Sequence, residues 1–95
     1  MSGEGFESVH NYYERLVFEE ISRAANRWPQ PVAAGLLADI ACVALNKLPA
    51  RYIRNDANDA FFMSGDERET HRRLVMQAVE RAFSYVNSGE ARVAA

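Results

Sequence analysis

Four side chains near the middle of the sequence have types and spacing suited to ligand binding. Lys47, Arg51, Tyr52 and Arg54 lie within eight residues. Arginine contacts phosphate and the O6/N7 edge of guanine with two hydrogen bonds and stacks on flat rings, and tyrosine adds an aromatic face with a hydroxyl group. A lysine beside a helix C-terminus needs no ligand, because it compensates the partial negative charge there. The arginines and the tyrosine therefore indicate a site for a phosphorylated ring compound.

Carboxylates elsewhere in the chain extend this pattern. Asp39 or Glu14 can accept hydrogen bonds from guanine N–H groups, which gives a set suited to a purine nucleotide. A simpler interpretation stays open, because the segment "RNDAND" over residues 54–59 brings acids close to the two arginines. Exposed ion pairs of that kind contribute little stability and need no ligand.

No catalytic or metal-binding pattern is present in the sequence. The two histidines, His10 and His71, lie in different predicted elements, and the one cysteine, Cys42, lies in the apolar run "IACVAL". A single cysteine excludes an intrachain disulfide and a multi-cysteine zinc site, and we expect it to be buried and inert. The neighbouring Glu19 and Glu20 are typical of the solvated face of a helix. We therefore predict that the protein is not an enzyme and holds no metal.

Composition predicts one soluble domain that does not bind DNA. Hydrophobic residues make up 48% of the chain and charged residues 25%, with a formal charge of -2, so the positive excess of nucleic-acid-binding proteins is missing. The longest apolar stretch, residues 32–45, is too short to cross a membrane and contains Asp39. The first residues, "MSGEGFES", lack a secretion pattern, which favours a cytoplasmic location.

Hydrophobic periodicity predicts an all-α domain of three helices over residues 11–88, between flexible segments at 1–10 and 89–95. The first helix begins near Asn11, where Glu14 follows at the spacing of a capping box, and ends before Pro29. The second, over about 32–47, is apolar nearly all round, so we expect it to be central.

The third helix begins at Ser64, which has Glu67 at the spacing of a second capping box. Glu69 and Arg73 are predicted to pair on its outer side. Its predicted inner face consists of seven apolar residues, Leu74, Val75, Ala78, Val79, Ala82, Phe83 and Val86. A long connection over residues 49–64 precedes it. The "AFFM" run in that connection, residues 60–63, should be anchored, because its large apolar side chains would not remain in water.

A stripe of small and polar residues on the second helix suggests a contact surface. Its members recur at helical spacing: Gly35, Asp39, Cys42 and Asn46. The small-residue and apolar faces of this helix exceed what one three-helix layer can cover. We therefore expect a homodimer.

Two long motifs resemble those of the ComFB family. In "HNYYERLVFEEI" the family pattern N-x-x-E-x-L-V-x-E-E-[IV] is met by Asn11, Glu14, Leu16, Val17, Glu19, Glu20 and Ile21. In "DIACVALNKLPARY" the pattern D-x-x-x-x-A-L-N-x-L-P-x-x-Y is met by Asp39, Ala44, Leu45, Asn46, Leu48, Pro49 and Tyr52. A helix of the type "RRLVMQAVERAFSYV" follows, so the resemblance spans roughly residues 10–87.

The resemblance implies a small all-α, dimeric protein that acts in signalling as a receptor for cyclic di-GMP. Some family members hold zinc in a cysteine cluster, which this sequence lacks, so the metal is not carried over. The candidate nucleotide-binding residues are Asn11, Tyr12, Glu14, Asp39, Asn46, Lys47, Arg51, Tyr52 and Arg54.

Several of these residues keep two possible roles. Tyr12 and Tyr13 are consecutive, so one faces the core and the other is free to stack. Asn46, expected to be buried, either caps the loop backbone or reads the ligand. Asp39 either reads guanine or pairs with an arginine of the third helix. Within the second motif, the residues Ala44, Leu45, Leu48 and Pro49 are expected to pack and to end the helix.

Two functions therefore remain in view. The first is a homodimeric receptor that captures cyclic di-GMP and relays its level to an unknown downstream protein. A ligand with two-fold symmetry suits a two-fold dimer, since each half meets the same residues. The second is a structural adaptor without a nucleotide ligand, which dimerises and docks a partner through "AFFM".

Overall fold

The computed structural model describes residues 5–88, which fold into four α-helices and a two-stranded sheet. The elements in chain order are β1 (His10–Asn11), α1 (Tyr13–Arg27), α2 (Ala34–Asn46), β2 (Tyr52–Ile53), α3 (Asp56–Phe61) and α4 (Gly65–Asn87), preceded by a 3-10 turn at Phe6–Ser8. The prediction of a mostly helical chain is confirmed, whereas the prediction of three helices without strands is wrong. The first four residues and the predicted flexible tail, 89–95, lie outside the described residues.

The sheet joins the start of α1 to the connection after α2. β1 and β2 are antiparallel, with His10 opposite Ile53 and Asn11 opposite Tyr52. The backbone N–H of Tyr12 also donates to the carbonyl oxygen of Arg51, at 2.6 Å. Strands of two residues are too short to show the alternating pattern by which strands are recognised. Their pairing nevertheless holds the basic connection against α1.

The core lies between α1, α2 and α4, and α4 supplies the largest part of it. Six of the seven predicted inner-face residues of α4 are buried, namely Val75, Ala78, Val79, Ala82, Phe83 and Val86, while Leu74 is partly exposed. From α1 come Tyr13, Val17, Ile21 and Ala24. The expectation that α2 is central is wrong: it packs on α1 and α4 along one face, and only Ile40 and Ala44 are buried.

Several polar residues of α2 lie on its exposed side. The whole small-residue stripe, Gly35, Asp39, Cys42 and Asn46, is exposed. Cys42 and Asn46 were both expected to be buried, and those expectations are wrong because the other helices cover only the opposite face of α2. Asp39 has no ion pair with an arginine within residues 5–88.

The two predicted capping boxes have different outcomes. At the start of α4, the Glu67 N–H donates to Ser64 Oγ (3.1 Å) and the Ser64 N–H donates to Glu67 Oε1 (3.0 Å), so that box is confirmed. The box of Asn11 with Glu14 is not formed. Asn11 belongs to β1, and its Oδ1 accepts from the backbone N–H groups of Tyr13 (3.2 Å) and Arg51 (3.1 Å).

Charged pairs on the helices also differ from the prediction. Glu20 is buried, and its two carboxylate oxygens accept hydrogen bonds from Arg23 (2.9 Å) and Arg27 (3.1 Å). The prediction of a solvated Glu19-Glu20 face therefore holds for Glu19 alone. On α4, Glu69 pairs with Arg72 at 3.2 Å in place of Arg73. Within residues 5–88, no helix combines the length and apolarity needed to span a bilayer.

Candidate functional site

An open cleft of about 730 Å³ lies where β2, α3 and the first turn of α4 meet. Its walls are formed by Ser8, Arg51, Ile53, Arg54, Asn55, Asn58, Asp59, Phe62, Met63 and Glu67. Two of the predicted binding residues, Arg51 and Arg54, are among them. The cleft therefore brings the two loop arginines together with polar and aromatic groups from α3 and its ends.

Arg51 is held at both ends. Its backbone N–H donates to Asn11 Oδ1 and its carbonyl oxygen accepts from Tyr12. Its guanidinium group donates from Nη2 to Asp59 Oδ1 at 2.8 Å, and its Cζ lies 5.3 Å from the centre of the Tyr12 ring, a cation–π distance. The hydrogen bond to Asp59 raises the pKa of Arg51 above its usual value, so this side chain is charged. The interpretation in which an arginine pairs with an acid of "RNDAND" is thus confirmed for Arg51.

Arg54 differs from Arg51 in its surroundings. Within residues 5–88 its guanidinium group has no ion-pair partner. It lies against Gly5, whose φ of 100° is a left-handed conformation that favours glycine. A Cβ added at Gly5 would come within 3.2 Å of Arg54 Nη2. This arginine is exposed, lines the cleft and is available to an anion.

Tyr12 supports Arg51 from behind the cleft. Its hydroxyl lies 3.0 Å from Nδ1 of His71 and 3.6 Å from the sulfur of Met63. Burial raises the pKa of Tyr12, so its hydroxyl stays protonated at neutral pH. Tyr13 is buried, which confirms that one tyrosine of the pair faces the core. The other is not free to stack on a ligand, because its ring already packs against Arg51 and His71.

The other predicted site residues do not line the cleft. Tyr52 lies in β2 with 69% of its surface exposed. Asp39 and Asn46 are exposed on α2, and Lys47 is the residue that caps its C-terminus. Glu14 is half-buried in the first turn of α1. Asn11 contributes indirectly, through its hydrogen bond to the backbone of Arg51.

Sequence reasoning missed the contribution of α3. The segment "RNDAND" falls in the predicted connection over residues 49–64, but Asn55 Oδ1 accepts from the Asn58 N–H at 2.9 Å and caps a short helix there. Residues 55, 58, 59 and 62 then recur at the spacing of one helical face, and all four line the cleft. The sequence did contain a signal for α3, because Asn55 is a residue type that caps helices and residues 58, 59 and 62 follow it at helical spacing.

The cleft offers both hydrogen-bond donors and acceptors. Arg51 and Arg54 supply positive charge, and Asp59 and Glu67 supply carboxylates. Hydrogen bonds from the backbone and side chain of Ser64 lower the pKa of Glu67, so it is ionised at neutral pH. Within residues 5–88, no three His, Cys, Asp or Glu side chains are placed to share a metal ion. The arrangement suits an anionic ligand that also carries polar ring atoms.

The family model described as late competence development protein ComFB matches residues 10–90. The chain belongs to the ComFB family. This match covers the described helices and strands, and it confirms the resemblance carried by the two motifs. No curated protein and no solved structure is detectably similar to the chain.

Residues of both ComFB motifs have structural roles, through burial in the core or through hydrogen bonds. The prediction that four residues of the second motif pack the end of α2 is confirmed for Ala44 and Leu48, which are buried, and Leu45 is half-buried against the core, but Pro49 is exposed. The motif residue Asn11 joins β1, the start of α1 and the backbone of Arg51 through one side-chain oxygen. In this ComFB protein Asn11 of the first motif therefore supports the cleft, while Arg51 and Arg54 line it.

Proposed function

We propose that this ComFB protein is a non-enzymatic receptor that binds cyclic di-GMP in the cleft and relays the level of this messenger to a partner protein. The observation that carries the proposal is the placement of two arginines in one cleft with amide and carboxylate side chains. Guanidinium groups bind phosphate, and the oxygens of amides and carboxylates can accept hydrogen bonds from the N–H groups of a guanine. A cytoplasmic location is part of the same proposal.

The two arginines have different tasks in this mechanism. Arg54 has no ion-pair partner within the described part of the chain, so it meets the phosphate directly. Arg51 must first share or exchange its bond to Asp59. Because Asn11 and Tyr12 hold the backbone of Arg51, its guanidinium can turn without displacement of the connection.

A homodimer is the second part of the proposal. Cyclic di-GMP has two guanines and two phosphates related by two-fold symmetry, so two copies of the cleft can contact it in the same way. The exposed small-residue stripe of α2 offers a surface on which the helix of a second copy can pack closely. Dimer formation and ligand binding are separate steps that different variants can test.

The test is a titration of cyclic di-GMP by calorimetry, with GTP as the competing ligand. We expect the wild-type protein to bind cyclic di-GMP more tightly than GTP. Loss of a charge-assisted hydrogen bond costs roughly 1.5–3 kcal/mol, so Arg54→Ala should weaken binding about ten- to a hundredfold. Arg51→Ala should weaken it similarly. Arg54→Ala should melt close to the wild-type temperature, because its side chain is outside the core. Arg51→Ala should melt somewhat lower, because it removes the ion pair with Asp59.

Arg73→Ala is the matched control for charge. Arg73 is exposed on α4 and does not line the cleft. It should leave the affinity within about twofold of wild type, since a charge outside the cleft acts only through screened long-range attraction. Equal binding by the wild type, Arg51→Ala and Arg54→Ala would remove the support for this site.

One observation favours a second function, a dimeric adaptor without a nucleotide ligand. Phe61 and Phe62 are 80% and 76% exposed, and exposed apolar groups of this size are a feature of protein-binding surfaces. The adaptor function predicts no increase in melting temperature with cyclic di-GMP. The receptor function predicts an increase that grows with ligand concentration, because the ligand binds the folded state alone.

A further inference from the structure

Two neighbouring phenylalanines at the end of α3 differ in one respect. Phe61 and Phe62 are similarly exposed, and their rings meet edge to face with centres 5.1 Å apart. Only Phe62 lines the cleft. The expectation that "AFFM" is anchored is wrong for both rings, since Met63 is the one large side chain of the run that is buried.

The position of Phe62 follows from the geometry of α3. Phe62 is the C-terminal cap of this helix, four residues after Asn58 and three after Asp59. Side chains at these spacings share one helical face. Phe62 therefore stands in line with the polar wall of the cleft, whereas Phe61 is one position removed from that line.

An exposed aromatic ring beside two arginines is suited to a specific partner. Nucleobases stack on aromatic side chains, and each stacked base contributes roughly a five- to 150-fold gain in affinity. Beside Phe62, the side-chain amide of Asn58 forms no hydrogen bond within residues 5–88. An amide offers both a donor and an acceptor to the edge of a base.

We propose that Phe62 is the stacking platform for a guanine base of the bound nucleotide, with the Asn58 amide at the edge of that base and the arginines at the phosphate. This inference rests on the proposed function and adds to it the residue that holds the base. Stacking buries the ring face of Phe62 on a ligand, which accounts for an exposed aromatic ring in the wall of a cleft lined mostly by polar side chains.

The experiment compares two adjacent positions with the same residue type and similar exposure. Phe62→Ala should weaken cyclic di-GMP binding roughly five- to 150-fold, and Phe61→Ala should change it by less than about twofold. Both variants should fold, because neither ring contributes to the core, and thermal melting checks this. Phe62→Trp should bind cyclic di-GMP about as tightly as wild type and more tightly than Phe62→Ala, since tryptophan is also a stacking platform.

The tryptophan variants add a direct spectroscopic signal. A guanine stacked on an indole quenches its fluorescence, so cyclic di-GMP should quench Phe62→Trp strongly and Phe61→Trp weakly. The native Trp28 is half-buried against the core residue Phe83 and supplies the constant background. The contrast between the two variants therefore reports which ring meets the base.

The outcomes separate this inference from the proposed function. Binding that depends on Arg54 but is unchanged in Phe62→Ala would overturn the stacking role and leave the receptor function in place. Equal losses in Phe61→Ala and Phe62→Ala would also overturn it, because binding would then not distinguish the ring that lines the cleft from the ring that does not. A wild-type protein that fails to bind cyclic di-GMP would overturn both.

Discussion

The guanidinium group of Arg51 lies 2.8 Å from one carboxylate oxygen of Asp59, inside the cleft. The other oxygen of Asp59 is buried and has no hydrogen-bond partner within residues 5–88. A buried carboxylate oxygen without a partner is unfavourable, so this ion pair is only partly satisfied. Asp59 therefore competes with an incoming phosphate for the guanidinium group of Arg51. It does so through one carboxylate oxygen alone.

Removal of that competition should strengthen ligand binding. In Asp59→Asn the side-chain shape is kept and the negative charge is lost, so we expect cyclic di-GMP to bind roughly two- to fivefold more tightly, as the loss of a partly exposed ion pair predicts. Calorimetry at constant salt measures the change. Asp66→Asn, which removes an exposed charge outside the cleft, is the control. Weaker binding in Asp59→Asn would mean that the carboxylate positions Arg51 or contacts the ligand.

Gly35 tests the predicted homodimer. A Cβ at Gly35 would meet nothing within 4 Å, and the same holds for Gly65. Gly35→Arg should therefore fold normally as a protomer but block close packing of a second copy on the stripe of α2. We expect it to sediment as a monomer at micromolar concentration, while wild type and Gly65→Arg sediment as dimers.

The thiol of Cys42 provides an independent measurement of the same surface. Cys42 is exposed in the protomer. A dimer that covers the stripe should slow its reaction with a thiol reagent, and Gly35→Arg should restore the fast reaction. A wild-type monomer, or a dimer that survives Gly35→Arg, would place the contact elsewhere.

His10 should make stability depend on pH. Its Nδ1 lies 2.7 Å from the Ser8 carbonyl oxygen and its Nε2 lies 3.0 Å from a carboxylate oxygen of Asp56, so both ring nitrogens face acceptors. The hydrogen bond to Asp56, followed by that to Ser8, raises the pKa of His10 above its usual value of 6.5, and the charge of Glu14 adds to the effect. A raised pKa means that the stabilisation is fully present below about pH 6.5 and is lost as the pH rises through the folded-state pKa.

The prediction is tested by measuring the melting temperatures of wild type and His10→Gln at pH values on both sides of the usual histidine pKa of 6.5. Wild type should lose more stability than His10→Gln between about pH 6 and pH 8, because glutamine carries no titrating charge. NMR titration of the His10 ring gives its pKa directly. Parallel pH profiles for the two proteins would contradict the prediction.

Glu20 and Glu19 form a matched pair on α1. Glu20 is buried with hydrogen bonds to Arg23 and Arg27, whereas Glu19 is exposed and pairs with Arg15 alone. Glu20→Ala should lower the free energy of unfolding by roughly 1.5–3 kcal/mol through loss of charge-assisted hydrogen bonds. Glu19→Ala should lower it by about 0.3–0.5 kcal/mol. Urea denaturation measures both, and similar losses would mean that burial of Glu20 has no energetic effect.

Chelation should leave the protein folded. The sequence has one cysteine and two histidines in separate elements. We expect the melting temperature to be the same with and without EDTA. Elemental analysis that finds stoichiometric zinc, or unfolding by EDTA, would contradict the prediction that the protein holds no metal.

Local chemistry in the sequence determined most of the helical framework of this ComFB protein. The apolar repeat of α4 and the capping box at Ser64 and Glu67 depend on residues within one or two turns, so periodicity and spacing reveal them. The same is true of the break at Pro29. Arg51 and Arg54 were recognised because their chemistry is distinctive in any fold.

The tertiary structure alone decided how these elements form a site. Asn11 reaches the backbone of Arg51 across 40 positions of sequence, and no local pattern encodes that contact. The exposure of Cys42 and the placement of Phe62 in the cleft depend on which face of α2 and of α3 the other elements cover. An apolar repeat shows that a segment is buried somewhere, but the packing of distant segments decides which side is covered, because burial is a property of contacts between elements.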